Sequence, residues 1–133
     1  MSGRLIAPGS ARGLALVLDE PLSLWGGLDP ATGRISEPRH PQHGMTVSGR
    51  VLVMPGARGS SSSASVLAEA VRAGTAPAAI VLGESDLILA LGAAVAEELY
   101  GRQVPIAVVG PAELATLSSD TVVVVGADGV AAD

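Results

Sequence analysis

Apolar residues fall in short blocks cut by glycine, proline and serine. Residues 4–7 and 13–18 read as strands. In the second, Leu14, Leu16 and Leu18 alternate with Ala15 and Val17; since both sets are apolar, burial on both faces is expected. Residues 46–54 form a further strand with β-branched Val47, Val51 and Val53, and residues 78–82, 104–109 and 121–125 repeat the pattern. Two stretches switch to a helical period. The first follows the serines after Gly59 and runs to about Ala73; it carries Val66, Leu67, Ala70 and Val71, with Gly74 as its stop. The second covers residues 86–100, where Ile88, Leu91, Val95 and Leu99 make the expected buried stripe, Asp86 sits at the positive end and Gly101 closes it. Gly110-Pro111 starts a short helix, and residues 126–133 read as a tail.

Residues 19–44 break the rhythm. Pro21, Gly26, Gly27, Pro30, Gly33, Pro38, Pro41 and Gly44 leave no room for a long helix. Leu22, Leu24 and Trp25 favour an ordered loop, and residues 29–33 read as a turn, with Asp29 bonding onward, Pro30 presetting φ and Gly33 supplying positive φ. The first three strands have no helix between them, whereas the later ones alternate with helices. That order predicts an α/β unit, a mixed sheet or small barrel flanked by helices, in one domain over residues 1–133.

Composition narrows the function. Aromatic residues are 2% of the chain, Trp25 and Tyr100 with no Phe, so Val, Leu, Ile and Ala must fill the core. The net charge of −5 excludes a nucleic-acid-binding surface, and all eight basic residues are Arg. No Cys is present, which excludes disulfides and thiolate metal ligands on this chain. No signal peptide or membrane-spanning run is visible, and the expected location is cytoplasmic.

The chemistry points to residues 54–65, where a strand gives way to a Gly-Ser turn and then a helix. Such a turn aims free backbone N–H groups and the positive helix end at one spot, which suits an anion. Ser60 to Ser63 bring hydroxyls there, and Arg58 adds a planar cation able to grip a carboxylate. Helix initiation alone would explain one or two of the serines. The turn is not a phosphate-binding P-loop, since the chain has no Lys, and it lacks the Gly-x-Ser-x-Gly elbow of a serine hydrolase. His40 and His43 stand three apart, but Pro41 prevents the helix that would align them and no third metal ligand follows. A loop positioning an imidazole for hydrogen bonding fits them better.

Several short motifs recur here in one order: Glu20-Pro21-Leu22-Ser23-Leu24-Trp25-Gly26-Gly27-Leu28-Asp29-Pro30, Thr32-Gly33, His40-Pro41, His43-Gly44, Gly49-Arg50-Val51-Leu52-Val53, Arg58-Gly59-Ser60-Ser61 and Ala76-Pro77-Ala78-Ala79-Ile80. Together they resemble the small-subunit, or swivel-domain, segment of the aconitase X family. The resemblance implies a swivelling β/β/α domain that closes over a large catalytic subunit, in a heterodimer that acts as a hydro-lyase. It implies an iron–sulfur cluster or metal on that large subunit and none on this chain. The first Ser after Arg-Gly, Ser60, takes the position of the catalytic base. Where many members carry Ser-Ser-Thr-Gly-Ser, this chain reads Ser60-Ser61-Ser62-Ser63-Ala64.

Loss of water β to a carboxylate needs a base for the α-proton, an acid or metal for the leaving hydroxyl and clamps for the carboxylate. The expected roles are therefore Ser60 as proton acceptor, Arg58, Gly59 and Ser61 on the substrate, and His40 as an orienting group. The expected substrate is a small hydroxy acid, cis-3-hydroxy-L-proline going to pyrroline-2-carboxylate, favoured by an Arg-only, Ala-rich composition. Mevalonate 5-phosphate is the alternative substrate, and a non-catalytic anion-binding module is the alternative of another class.

Overall fold

The computed structural model describes residues 2–133; the first residue of the expected 1–133 unit lies outside them. In chain order the elements are β1 (Arg4–Ala7), β2 (Ala11–Val17), a single turn α1 (Leu24–Gly27), the short pair β3 (Leu28–Asp29) and β4 (Arg34–Ile35), then β5 (Val51–Met54) and α2 (Ser63–Ala73). There follow β6 (Ala79–Leu82), α3 (Leu87–Tyr100), β7 (Ile106–Val108), α4 (Pro111–Ala115), β8 (Val122–Gly126) and β9 (Gly129–Ala132).

Seven strands share one sheet in the order β1-β7-β6-β5-β2-β8-β9. Its centre is parallel, because α2 carries the chain from β5 to β6 and α3 from β6 to β7. The outer strands run antiparallel. The two edges then meet: Ser2 N donates to Val130 O at 3.2 Å and Val130 N to Ser2 O at 2.7 Å. This bridge nearly closes the sheet into a barrel and covers backbone groups that an open edge would leave unpaired. The expected mixed α/β architecture flanked by helices is the one observed.

Strand alternation divides the core in two. Leu16, Leu52, Met54, Ile80, Leu82 and Ile106 face α2 and α3. Their neighbours Ala15, Val51, Val53, Ala79, Val81 and Ala107 face the barrel interior with Val123, Val125 and Val130. Large side chains thus fill the sheet–helix layer and small ones the narrow barrel, which is why a chain without Phe can pack both. The all-apolar strands β5 and β6 are buried at every position for the same reason.

Four sequence expectations are corrected. Residues 46–50 are not strand: Gly49 holds φ +69° in a turn, so the ladder begins at Val51, with Thr46 bridging Arg34 instead. Residues 129–132 of the supposed tail are β9, and Val130 both fills the barrel and seals its seam. Strand β2 is not buried on both faces along its length, because Leu14 lies on the half paired with β8 and remains 45% exposed. The largest error concerns α3. Its buried face is Leu89, Gly92, Ala93 and Ala96, while Leu91, Val95 and Leu99 of the expected stripe face outward.

Candidate active site at the serine turn

The C-terminal ends of the parallel strands carry the site, as they do in open α/β sheets generally. Past Met54 the chain turns under the long loop: Ala57 forms a parallel bridge with Leu22, and Arg58 N donates to Leu22 O at 3.2 Å. Residues 59–62 then wrap into α2. Ser60 O accepts from Ser63 N at 2.9 Å, and Ser60 Oγ accepts from Ser62 N at 3.2 Å. Ser60 therefore does part of the work of an N-cap, one turn ahead of the helix. Among the described residues, the N–H groups of Gly59, Ser60 and Ser61 donate to no other group. Arg58, Gly59 and Ser61 are exposed, and Ser60 is half-buried.

The neighbouring helix mouth behaves differently. Asp86 Oδ1 accepts from Ile88 N at 2.9 Å and Leu89 N at 3.0 Å, so α3 begins on its own carboxylate. Two positive helix ends thus open at the same edge, one already neutralised and the other, at the serines, still able to receive an anion. They are close: a side chain at Gly59 would meet Ile88 at 3.9 Å.

Beside the turn is a cleft of about 270 Å³ whose walls include Glu20, Trp25, Glu37, Arg39, His40 and Arg58. Of the five residues anticipated from sequence, Arg58 and His40 line it, whereas Gly59, Ser60 and Ser61, which follow Arg58 in the chain, are not among its walls. His40 is 7% exposed, and both ring nitrogens are engaged. Gln42 N–H can only donate, so Nδ1 accepts it at 3.0 Å; Nε2 then carries the proton and donates to Glu20 O at 3.0 Å. The imidazole thereby ties two parts of the long loop together. His43 is exposed, and among the described residues no group of three or more His, Asp or Glu gathers to hold a metal. Nor is any helix among them long and apolar enough to cross a membrane.

Sequence reasoning missed Glu20, Glu37 and Arg39 as cleft residues, because a proline-broken loop gives no period from which to place side chains. It also missed a division of labour among the serines. Ser63 is buried at the start of α2, and its Oγ accepts from Trp25 N at 3.2 Å, pinning α1 to that helix. The signal was present, since Ser63 stands three and four residues before the buried Val66 and Leu67.

The family model described as the aconitase X swivel domain matches residues 1–131. The chain is 50% identical over 107 residues to a cis-3-hydroxy-L-proline dehydratase of Pseudomonas aeruginosa, a match covering 80% of this chain and 18% of that one. It thus spans less than a fifth of that relative. It is 44% identical over 93 residues to the phosphomevalonate dehydratase small subunit of Methanothermobacter thermautotrophicus, covering 70% of this chain and 71% of that subunit. Its fold superposes on the crystal structure of Thermococcus kodakaraensis aconitase X in the holo-form with a TM-score of 0.88 and 31% identity, covering 99% and 96% of the two chains.

Proposed function

Because this chain belongs to the aconitase X swivel-domain family, we propose that it is the small subunit of a hydro-lyase that removes water from a hydroxy acid together with a larger chain. The observation that carries the reading is the serine turn itself: a hydroxyl at an open helix mouth, next to N–H groups and an exposed Arg58 guanidinium that find no partner among the described residues. In this reading the Ser60 alkoxide takes the α-proton and becomes the neutral hydroxyl, the pair of electrons left behind forms the Cα–Cβ double bond, and the β-hydroxyl departs as water on taking a proton from an acid that the larger chain would supply. Ser62 N–H supports the negative charge on Ser60 Oγ, and the helix dipole lowers the cost of forming it. Arg58, with the N–H groups of Gly59 and Ser61, holds the substrate carboxylate. His40 keeps its place as the orienting group, since it fixes the loop that carries Glu20 and Glu37 beside Arg58.

An iron–sulfur cluster or metal ion, the group this family implies, finds no ligand set among the described residues and in this reading belongs to the larger chain. The favoured substrate is cis-3-hydroxy-L-proline. A cleft mixing Glu20 and Glu37 with Arg39 and Arg58 suits a molecule with one carboxylate and one ammonium better than it suits a phosphate dianion. The 50% identity to the Pseudomonas dehydratase points the same way. Mevalonate 5-phosphate is the second reading, supported by the 71% coverage of a separately encoded small subunit.

The test is to combine this chain with the large-subunit chain of the same organism and offer each substrate in turn. Formation of pyrroline-2-carboxylate is expected; turnover of mevalonate 5-phosphate alone would favour the second reading, and turnover of neither would overturn both.

A further inference from the structure

Helix α3 has an outer face that the fold leaves uncovered. Leu87 is 78% exposed, Leu91 58%, Val95 37% and Leu99 64%, and the i, i+4 spacing sets all four in one line. From Leu87 to Leu99 the line is about 18 Å long at the helical rise of about 1.5 Å per residue. A row of four large apolar side chains goes beyond the scattered single exposures ordinary on a protein surface. It also adjoins the candidate site, because Leu87 begins α3 where Ile88 approaches Gly59 of the serine turn. Trp25, 60% exposed, is held to Ser63 at the start of α2, just past the same turn, and shares the cleft wall with Arg58.

We propose that this strip, from Trp25 over the serine turn and along Leu87, Leu91, Val95 and Leu99, is the surface on which the larger dehydratase chain docks. The inference rests on the small-subunit reading above and adds where the partner sits. Three observations select that occupant. In the Pseudomonas relative the matched segment is 18% of the polypeptide, so most of that protein is further chain available to cover such a face. The strip runs into the site, since Ile88 approaches Gly59 of the serine turn and Trp25 belongs to the cleft wall. Charge argues against a second copy: residues 84–101 hold Glu84, Asp86, Glu97 and Glu98 and no basic residue, so pairing two such faces would set carboxylate against carboxylate. The complementary face is an apolar groove edged by Arg or Lys. The helix stripe, four side chains exposed by 37–78%, presents well under the roughly 800 Å² on one side of a stable interface. It is therefore the apolar centre, and the turn and Trp25 extend it.

The test uses the complete chain and the large-subunit chain of the same organism, identified as the sequence that matches the remaining four-fifths of the fused relative. Association is followed by sedimentation for the wild type, Leu87→Ser and Leu91→Asp. Both substituted positions are exposed, and the melting temperature of the isolated chain checks that each variant is folded. The expected result is a dissociation constant raised tenfold or more by Leu87→Ser and a hundredfold or more by Leu91→Asp, with activity recovered when the large subunit is in saturating excess. A dissociation constant within twofold of wild type for both variants would overturn the proposal. So would wild-type self-association that Leu91→Asp abolishes. An unchanged response of association to these variants with full activity sinks the surface alone. Association weakened as expected, with no turnover of any hydroxy acid at saturation, sinks the dehydratase reading and leaves the surface standing.

Discussion

Helices α2 and α3 pack side by side on the same layer of the barrel, yet they use their apolar residues in opposite ways. In α2 the large residues Val66, Leu67 and Val71 point inward, and Glu69 and Arg72 pair on the outside. In α3 only Leu89 of the buried face is large; Gly92, Ala93 and Ala96 complete it, and the big leucines face out. The reason is distance. A Cβ on Gly92 would lie 2.8 Å from Ala64 O, so the two backbones are in near contact and admit no larger side chain. In a helix that is apolar nearly all round, small residues mark the packed side and large ones mark a surface intended for something else.

The comparison breaks most visibly with matched truncations. Leu67→Ala in α2 is expected to cost about 2–5 kcal/mol, while Leu99→Ala in α3 changes stability by less than about 0.5 kcal/mol. Urea titration of both variants reads the difference, and equal losses would mean that α3 has been oriented wrongly. Gly92→Ala comes next. Better helix propensity would gain about 1 kcal/mol, but overpacking against the Ala64 backbone costs about 1–3 kcal/mol, so a net loss is expected; a rise in urea midpoint would contradict the close approach. Asp86→Ala, which removes both cap bonds of α3, should cost about 1 kcal/mol and also free that helix mouth to bind an anion. A sulfate-dependent rise in melting temperature larger than that of the parent chain, in which the serine turn alone is open, checks the second half.

The smallest effect belongs to the outer face of α2. The hydrogen bond from the Arg72 guanidinium holds the Glu69 carboxyl below the ordinary glutamate range; desolvation opposes it, and the arginine's charge adds a smaller pull in the lowering direction. A carboxyl lowered in the folded state stabilises above its unfolded titration, and the contribution is lost as pH falls through the lowered value. In Arg72→Ala the Glu69 titration, followed by NMR, should move up toward the ordinary value; a stationary midpoint would show the pair to be idle in solution.

Much of the architecture was legible because short blocks of β-branched residues bounded by glycine have few other uses. The caps at Asp86 and Gly74, the turn closed by Gly33 and the helix after the serines all follow from local chemistry. The inner face of α3 was not legible, since Ile88, Leu91, Val95 and Leu99 fit the helical period as well as Leu89, Ala93 and Ala96 do. Strand β9 pairs with β8 across the turn at Ala127-Asp128, a local signal that the short, Gly- and Ala-rich segment obscured, and only its bridge to Ser2 comes from the far end of the chain. At the site, the strand–turn–helix order announced the open N–H groups. It did not show that Ser63 would be spent on Trp25 or that His40 would give both nitrogens to the loop backbone, because those partners lie 38 and up to 20 residues away.

The central claim is that the Ser60 hydroxyl accepts a proton from carbon, and Ser60→Ala assayed with saturating large subunit and substrate tests it most directly. The account predicts a fall in kcat of about 10²–10⁴-fold, with the dissociation constant of the complex unchanged and the melting temperature lowered only by the loss of the one turn hydrogen bond that Ser60 Oγ accepts, about 1 kcal/mol. Retention of kcat within a few-fold of wild type would contradict it.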